Sequence, residues 1–392
     1  MKPPDPSSNP PQPRRTNADG ITIVLFVAIL CAPLTAHLLH LHEAGGVLAF
    51  ETAARPTWRW EPGAMARFPR EAQRYFNTHF AFRDELMALH ARLKVRVFGV
   101  SSSDRVTLGD HGWLFYAGER IIEDYRRTRP FSEHELQQWT QLLVTRRDWL
   151  RASGVPFLFF VAPNPQTIYP EHMPNVMRPV DRPSRLDQLI TYLGAHSDLE
   201  VLDLRPALRA AKVTDQVYYQ TDTHWNQLGA FVAYQEVSTW ARAHFPAWRT
   251  FTSHDFTRVE IPGWHGGLSY FLGEPSLFSE TRVVLQPRVP GPVLREGQPL
   301  STDETIDAWT VRPRVTTESA DGEIPSGLFF RDSQFSAPAQ FLSRHFRRGV
   351  FAWTQVFDPE LVRRERPSVV IQEIAERRLM EDVPRDPPLP WN

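Results

Sequence analysis

Residues 155–162 read VPFLFFVA, and this short apolar run decides the class of fold. Its composition is typical of a β-strand that is buried on both faces of a sheet. Comparable short runs recur along the chain at 199–204 (LEVLDL), 327–330 (GLFF), 350–353 (VFAW) and 368–374 (SVVIQEI). The sequence therefore predicts several buried strands spread over its C-terminal two thirds.

The stretches between these strands have helical patterns, and they fall at 133–153, 185–196, 225–244, 337–348 and 359–366. Alternation of strands with helices predicts an α/β domain, in which a parallel central sheet is covered by helices on both faces. Ligands of such domains bind at the carboxyl ends of the strands. Side chains that follow the predicted strands are therefore the first candidates for a functional site.

The main domain is expected at 101–382, with a β-hairpin signal, VTLGDHGWLFY, near its start. Residues 245–325 interrupt the alternation with Gly, Pro and polar residues, which predicts a loop-rich insertion. Residues 43–100 are predicted to form a helical lead-in, and residues 383–392 a flexible proline-rich tail.

The N-terminal segment predicts export. Residues 1–19 have the composition of a disordered tail, and residues 20–42 contain no Asp, Glu, Lys or Arg. A membrane-spanning helix needs about 20 such residues, and Arg14 and Arg15 before it place the tail in the cytoplasm. An uncleaved single-pass anchor is the preferred interpretation, ahead of a cleaved signal peptide and of a buried core helix.

Charge and cysteine content exclude other classes of protein. The 44 basic and 45 acidic residues nearly cancel, to a net charge of -1, whereas binding of nucleic acid needs clustered positive charge. Cys31 is the one cysteine and lies in the apolar N-terminal stretch. An intrachain disulfide and a Cys-based zinc site are both excluded.

Residues 221–230, TDTHWNQLGA, close an extended segment and open a helix. Asp222 and His224 lie two positions apart, so that in an extended chain both side chains project from one face. Asp222 then orients the imidazole of His224, whose other nitrogen is free to act as a base. The alternative is that Asp222 merely caps the following helix.

Residues 326–335, SGLFFRDSQF, carry an apolar strand into a polar turn. Ser333 at such a strand-to-helix turn has its hydroxyl exposed at the edge of the sheet, beside the N–H groups of a helix start. Alone, this stretch also fits an ordinary capping loop. Because a hydroxyl nucleophile needs a base and the base an orienting group, the two stretches together predict a Ser333–His224–Asp222 triad.

Four further residues are candidates for binding the substrate or an oxyanion. Asn164 follows the VPFLFFVA strand, Arg331 precedes the serine, and Gly267 belongs to a flexible GWHGGLSYFL segment. Tyr169 is either a substrate contact or a core residue. His254 and His265, with His224 and Asp222, offer a metal site as a minor alternative because their spacing is irregular; neither a metal nor a cofactor is predicted.

Five stretches together resemble the AlgJ/AlgX-type proteins of bacterial alginate O-acetylation, which are SGNH-hydrolase-like: DHGWLFY, APNPQTIYPEHMP, TDTHWNQLGA, FFRDSQF and PSVVIQEIAERRL. The resemblance covers roughly residues 68–380 and fits the shorter AlgJ-like architecture. It implies an SGNH-hydrolase-like (flavodoxin-like) three-layer α/β/α fold. Ser333 is then the nucleophile, His224 the general base and Asp222 its orienting group.

The resemblance also implies a function and a setting. The expected activity is O-acetyl transfer to an exopolysaccharide through an acyl-serine, with an acetylesterase as the alternative. A non-catalytic scaffold or polysaccharide-binding subunit of an export complex is the alternative from another class. The expected place is the inner membrane, with the domain in the periplasm and a multispanning membrane O-acyltransferase as the supplier of acetyl groups.

Overall fold

The computed structural model describes residues 17–39, 53–79, 81–289, 291–296 and 314–389. The chain divides into two compact units, Met1–His90 and Ala91–Asn392. Three helices begin the described part: α1 (Asn17–Leu38), α2 (Pro62–His79) and α3 (Arg83–Arg92). Among the described residues, no helix combines the length and the hydropathy that a membrane span requires. Residues 1–16 of the predicted disordered tail lie outside the described part of the chain.

The predicted helical lead-in is interrupted rather than continuous. α2 ends at His79, and Phe82 adopts a positive φ of 65° just before α3 begins. A left-handed residue of this kind cannot continue a right-handed helix. A short π-helix, Leu93–Val97, follows α3.

The strands of the second unit are, in chain order, β1 (Val106–Leu108), β2 (Leu114–Tyr116), β3 (Phe157–Ala162), β4 (Val201–Asp203), β5 (Phe256–Trp264), β6 (Glu280–Pro287), β7 (Val293–Glu296), β8 (Val315–Glu318), β9 (Ile324–Arg331), β10 (Phe346–Trp353) and β11 (Val369–Ala375). Its helices are α4 (Ile121–Tyr125), α5 (Glu133–Ala152), α6 (Pro165–Ile168), α7 (Arg185–His196), α8 (Arg205–Ala211), α9 (Gln227–His244), α10 (Gly267–Phe271), α11 (Ser336–Leu342) and α12 (Pro359–Glu365).

A seven-stranded sheet of order β4-β3-β11-β9-β10-β8-β7 forms the centre of this unit. The first five strands of that order run parallel, as the alternation predicted. β8 and β7 are antiparallel and extend the sheet at one edge, which corrects the expectation of a wholly parallel sheet. Neighbouring antiparallel strands need no crossover helix between them.

Alternate side chains of the central strands enter two separate cores, which confirms the three-layer α/β/α arrangement. In β3, Leu158 and Phe160 pack with the core beneath α9 and α11. Phe157, Phe159 and Val161 pack on the opposite face with residues of α5 and α7. Each such buried side chain contributes about 1.5–3 kcal/mol, so the strand is stabilised from both sides.

The predicted hairpin at the start of the domain is formed, with Val106 of β1 opposite Tyr116 of β2. The predicted helix at 337–348 is wrong in its last part, because α11 ends at Leu342 and β10 begins at Phe346. Phe346 is fully buried and pairs with Ile324 of β9. Pairing within the sheet therefore overrides the helical pattern of these residues.

Within the insertion, β5 and β6 form a separate antiparallel pair, and α10 lies between them in the chain. Residues 383–389, part of the predicted flexible tail, are held on the domain. The Asp386 carboxylate pairs with the fully buried Arg146 guanidinium, with N–O distances of 2.6 and 2.7 Å. A contact between residues so far apart in the chain has no local sequence signal.

Candidate active site

Ser333 lies in a turn at the carboxyl end of β9. It begins a 3₁₀ turn, Ser333–Phe335, that leads directly into α11. The carboxylate of Asp332 fixes the turn, because Oδ1 accepts a hydrogen bond from Gln334 N at 2.9 Å and Oδ2 accepts one from Ala375 N at 2.8 Å. The serine is thus anchored to the neighbouring strand β11 as well as to its own turn.

His224 lies in the segment between Tyr218 and α9. Tyr218 and Trp225 form an isolated antiparallel bridge around it. Asn226 caps α9, since its Oδ1 accepts from the N–H groups of Leu228 and Gly229 at 2.9 and 3.1 Å. The interpretation of Asp222 as the cap of this helix is therefore wrong, and its carboxylate is available to the histidine.

The three predicted residues meet. His224 Nε2 lies 3.0 Å from Ser333 Oγ, and His224 Nδ1 lies 2.5 Å from Asp222 Oδ1. A carboxylate at Nδ1 holds the proton on that nitrogen and leaves Nε2 to accept from the hydroxyl. Burial alone would raise the pKa of Asp222, but the imidazole of His224 and two backbone N–H donors lower it below its ordinary value.

The Gly-rich segment of the insertion orients Asp222. Gly267 N donates to Asp222 Oδ2 at 2.8 Å, and Gly266 N donates to Thr221 Oγ1 at 2.8 Å. A Cβ atom at Gly266 would lie 2.3 Å from the carbonyl oxygen of Thr221, so that only glycine fits there. The N–H of Gly267, predicted as a substrate contact, is directed instead to the triad carboxylate.

Glu280 is a member of the site that the sequence analysis missed. Its carboxylate accepts from Gln220 N at 3.0 Å and from the N and Oγ1 of Thr221 at 2.8 and 2.6 Å. Burial raises the pKa of Glu280, and the charge of Asp222 contributes in the same direction. Glu280 begins β6, far along the chain from Thr221, and no local pattern links the two.

Glu373 of β11 is a second residue that was missed. It is fully buried, and its Oε2 accepts from Asp332 N at 3.0 Å. Burial first, and then the charge of Asp332, raise the pKa of Glu373 well above its ordinary value. A buried pair of carboxyl groups therefore lies directly behind the serine.

Asn164 lies at the same edge of the sheet, as predicted. It follows β3, which pairs with β11 up to Ala375 opposite Ala162. Its N–H donates to Glu376 Oε2 at 2.7 Å, and its buried Oδ1 has no partner among the described residues. The backbone of Asn164 is held by this hydrogen bond, and the oxygen of its side-chain amide is available to a ligand at the strand ends.

Tyr169 and Arg331 serve the surrounding structure. Tyr169 Oη accepts from Val217 N at 2.9 Å and its ring lies 4.3 Å from that of Trp113, which supports the core interpretation. Arg331 Nη1 donates to Asp332 O at 3.2 Å and to Ser336 Oγ at 3.0 Å. These hydrogen bonds brace the turn that carries the serine.

The alternative metal site finds no support in the part of the chain that is described, where no three His, Cys, Asp or Glu side chains converge. His265 Nδ1 is hydrogen-bonded to the carbonyl oxygen of Phe278 at 2.7 Å. His224 and Asp222 are engaged with the serine.

A three-layer α/β/α fold with a Ser-His-Asp arrangement is what an SGNH-hydrolase-like domain is expected to show. Residues 106–296 match the family model described as an SGNH hydrolase-like domain of the acetyltransferase AlgX. This match includes Asp222 and His224 and ends before Ser333. The resemblance to AlgJ/AlgX-type proteins is confirmed by this match and by the relatives.

The chain is 26% identical over 256 residues to a probable alginate O-acetylase AlgJ of Pseudomonas syringae pv. tomato. The aligned region covers 65% of this chain and 62% of that protein. The AlgJ of Pseudomonas aeruginosa is 25% identical over 287 residues, or 70% of each chain. The solved structure of Bacillus cereus PatB1 is similar in fold, with a TM-score of 0.51 and 14% identity over 70% of this chain and 96% of PatB1.

Proposed function

We propose that this protein is a serine-dependent O-acyltransferase that acetylates hydroxyl groups of an exported polysaccharide. The observation that carries the proposal is the contact of His224 with both Ser333 Oγ at 3.0 Å and Asp222 Oδ1 at 2.5 Å. The substrate class is supported by the relatives, which are named as probable alginate O-acetylases.

In the first step, His224 Nε2 takes the proton of Ser333 Oγ as the oxygen attacks the carbonyl carbon of an acetyl donor. Asp222 stabilises the imidazolium that forms. The tetrahedral intermediate then collapses, the bond to the leaving group breaks, and the imidazolium returns the proton to the departing oxygen. The acetyl group is now an ester of Ser333.

In the second step, His224 Nε2 takes the proton of a sugar hydroxyl as its oxygen attacks the carbonyl carbon of the acetyl-serine. The bond between that carbon and Ser333 Oγ then breaks, and the imidazolium returns the proton to Oγ. If water takes the place of the sugar, the same residues release acetate. The N–H of Ser333 belongs to the first turn of a helical segment, where N–H groups have no partner within the helix. We propose that the N–H of Ser333 and the side-chain amide of Asn164 are the hydrogen-bond donors to the oxyanion.

We further propose that residues 20–42 anchor the protein in the inner membrane, with the domain in the periplasm. The absence of Asp, Glu, Lys and Arg from this stretch supports an anchor. Apolar side chains of α1 are exposed over its length, among them Ile21, Val24 and Leu25. A multispanning membrane O-acyltransferase is the proposed source of acetyl groups.

The anchor is tested by fusing alkaline phosphatase, which is active outside the cytoplasm, after residue 42 and after residue 392. Activity of both fusions, and retention of the full chain in membranes washed at alkaline pH, are the expected results. Inactive fusions would contradict the proposed topology, and release of the chain by the wash would contradict the anchor.

The activity is tested by following acetate release from an activated acetyl ester, with and without an oligosaccharide acceptor. Wild type is compared with Ser333→Ala, His224→Ala and Asp222→Ala. Loss of release in all three, with acetyl found on the acceptor of the wild type, is the expected result. Release that survives Ser333→Ala would refute the serine mechanism. Release of acetate without transfer to the acceptor identifies an esterase. A scaffold is identified in cells, if acetylation of the polymer survives Ser333→Ala but is lost when the whole protein is deleted.

A further inference from the structure

A polar cavity of about 260 Å³ opens at the carboxyl ends of β3 and β4, on the sheet edge at which Ser333 follows β9. Its wall includes Asp124, Gln166, Thr167, Arg205 and Glu376. A water molecule takes up about 30 Å³ in the liquid, so the cavity is much larger than a single water site. The proposed mechanism uses none of these side chains.

Glu376 connects the cavity wall to the turn that carries the serine. It directly follows Ala375, whose N–H holds the carboxylate of Asp332 at 2.8 Å, and Asp332 immediately precedes Ser333. Glu376 Oε2 also accepts from the N–H of Asn164 at 2.7 Å. The cavity and the triad therefore share one edge of the sheet and are separated by the end of β11.

One almost fully buried side chain of the cavity wall has an oxygen atom without a partner. Gln166 is 1% exposed; its Nε2 donates to Tyr116 O at 2.9 Å, and its Oε1 has no partner within the described residues. Buried polar groups are normally hydrogen-bonded, so this oxygen indicates a missing partner. The carboxyl group of Asp124, which is 5% exposed, lies in the same wall.

The cavity wall carries charges of both signs. Arg205 is already neutralised, since Asp203 accepts from it at 2.8 Å and Asp187 at 2.6 Å. Arg127 and Arg209 line the cavity as well. Burial raises the pKa of Asp124 well above its ordinary value, and the charge of Glu376 raises it further, against the opposing charge of Arg185. The cavity thus offers both donors and acceptors of hydrogen bonds, which is the chemistry that a sugar ring with several hydroxyls satisfies.

We propose that this cavity is a subsite for one sugar ring of the acceptor polysaccharide, whose hydroxyls donate to Asp124 and Gln166. The ring bound here positions the neighbouring sugar so that its hydroxyl reaches the acetyl group on Ser333. This inference rests on the proposed function and adds to it the place where the acceptor is bound.

The test separates acceptor binding from chemistry at the serine. Full-length wild type, Asp124→Ala and Asp124→Asn are compared with Asp321→Ala, which removes an exposed aspartate in the loop between β8 and β9. Two rates are measured: acetate release from an activated acetyl ester without acceptor, and acetyl transfer to oligosaccharides cut from de-acetylated alginate. Binding of the same oligosaccharides to Ser333→Ala, with and without Asp124→Ala, is measured by calorimetry.

The expected result for Asp124→Ala is a rise of about tenfold in the acceptor KM, as for the loss of one or two hydrogen bonds, with ester release unchanged. Asp124→Asn keeps an acceptor oxygen and should recover most of the affinity. The Asp321→Ala control should behave as wild type. In calorimetry, Asp124→Ala should weaken binding by a similar factor.

Equal acceptor KM and equal oligosaccharide binding in Asp124→Ala and wild type would overturn the subsite. Loss of ester release in both Asp124 variants would also overturn it, because the cavity would then support the triad and not the acceptor. A wild type without ester release refutes the proposed function instead. In that case, the calorimetric comparison still decides whether the cavity binds sugar.

Discussion

Replacing Asp222 by Asn tests the proposed mechanism most sharply, because it changes one atom and keeps the size of the side chain. The carboxylate accepts three hydrogen bonds: from Gly267 N at 2.8 Å, from His224 N at 3.1 Å and from His224 Nδ1 at 2.5 Å. An amide has one oxygen and one NH₂ group. The NH₂ group must therefore face a donor at Gly267 or at His224.

The two orientations of the amide have different consequences. If the NH₂ group faces His224, Nδ1 becomes an acceptor, Nε2 carries the proton, and the imidazole can no longer accept the proton of Ser333. A triad in this wrong tautomer loses about 10⁴ in kcat, or about 5 kcal/mol of transition-state stabilisation. If the NH₂ group faces Gly267 instead, His224 keeps the correct tautomer, but the negative charge that stabilises its imidazolium is lost. In both orientations, one buried N–H group is left unpaired, at a cost of about 1–3 kcal/mol in stability.

The assay is ester release by Asp222→Asn and wild type, with thermal unfolding of each measured from neutral to acidic pH. Because the pKa of Asp222 is lowered in the folded state, its carboxylate stabilises the wild type above its ordinary pKa of 3.8. That stability is lost as the pH falls below 3.8, so the gap between wild type and variant should narrow there. A variant that keeps more than about a tenth of the wild-type rate would refute the role of Asp222, since a tenfold loss is only about 1.4 kcal/mol.

Three further changes are predicted from the structure. Gly266→Ala should lower kcat by about tenfold, because the added Cβ displaces the Gly-rich segment. The control is Gly194→Ala, in a helix with open space around it, which should keep the activity and raise stability by about 0.5–1 kcal/mol. Equal activity of the two variants would contradict this prediction. Glu373→Gln should keep the activity and become more stable relative to wild type as the pH rises above 4.5, because the raised pKa of the buried carboxyl makes its ionisation unfavourable in the folded state. Thermal unfolding of both proteins between pH 4 and 8 measures this. A difference in stability that does not change with pH would contradict the prediction. Asp386→Ala leaves the buried charge of Arg146 without its carboxylate and should lower the free energy of unfolding in urea by about 3–5 kcal/mol. A loss near zero would show that residues 383–389 are a free tail.

The serine and the His-Asp pair could be predicted because they combine residue types with complementary chemistry, and because the serine follows a strand of the sheet. Asp222 and His224 follow α8 instead, in a segment that has one isolated bridge. Buried strands have a local signature in their apolar runs, and parallel strands bring the residues after their carboxyl ends to one edge of the sheet. The sequence also left open whether Asp222 caps a helix. That question depended on Asn226, whose side chain takes over the capping role, and only the structure showed it.

Other parts of the site had no local signature. Glu280 and Glu373 each hold a residue of the triad segments across a separation of 59 or 41 positions in the chain. A carboxyl group that ends up buried is not distinguishable in sequence from one on the surface, since its burial depends on partners brought by the fold. For the same reason, Tyr169 was undecided between substrate and core, and its bond to Val217 places it in the core.

Two different parts of the domain hold the residues of the triad in place. Ser333 belongs to the sheet and is held by β11, whereas Asp222 is held by Gly267 of the insertion. Besides the contact of His224 with Ser333, the histidine segment is joined to the serine turn by hydrogen bonds from Trp225 Nε1 to Gln334 O at 2.8 Å and from Gln334 Nε2 to Thr223 O at 3.0 Å. The insertion is therefore part of the catalytic apparatus, because the orientation of Asp222 depends on a segment that the α/β core does not supply.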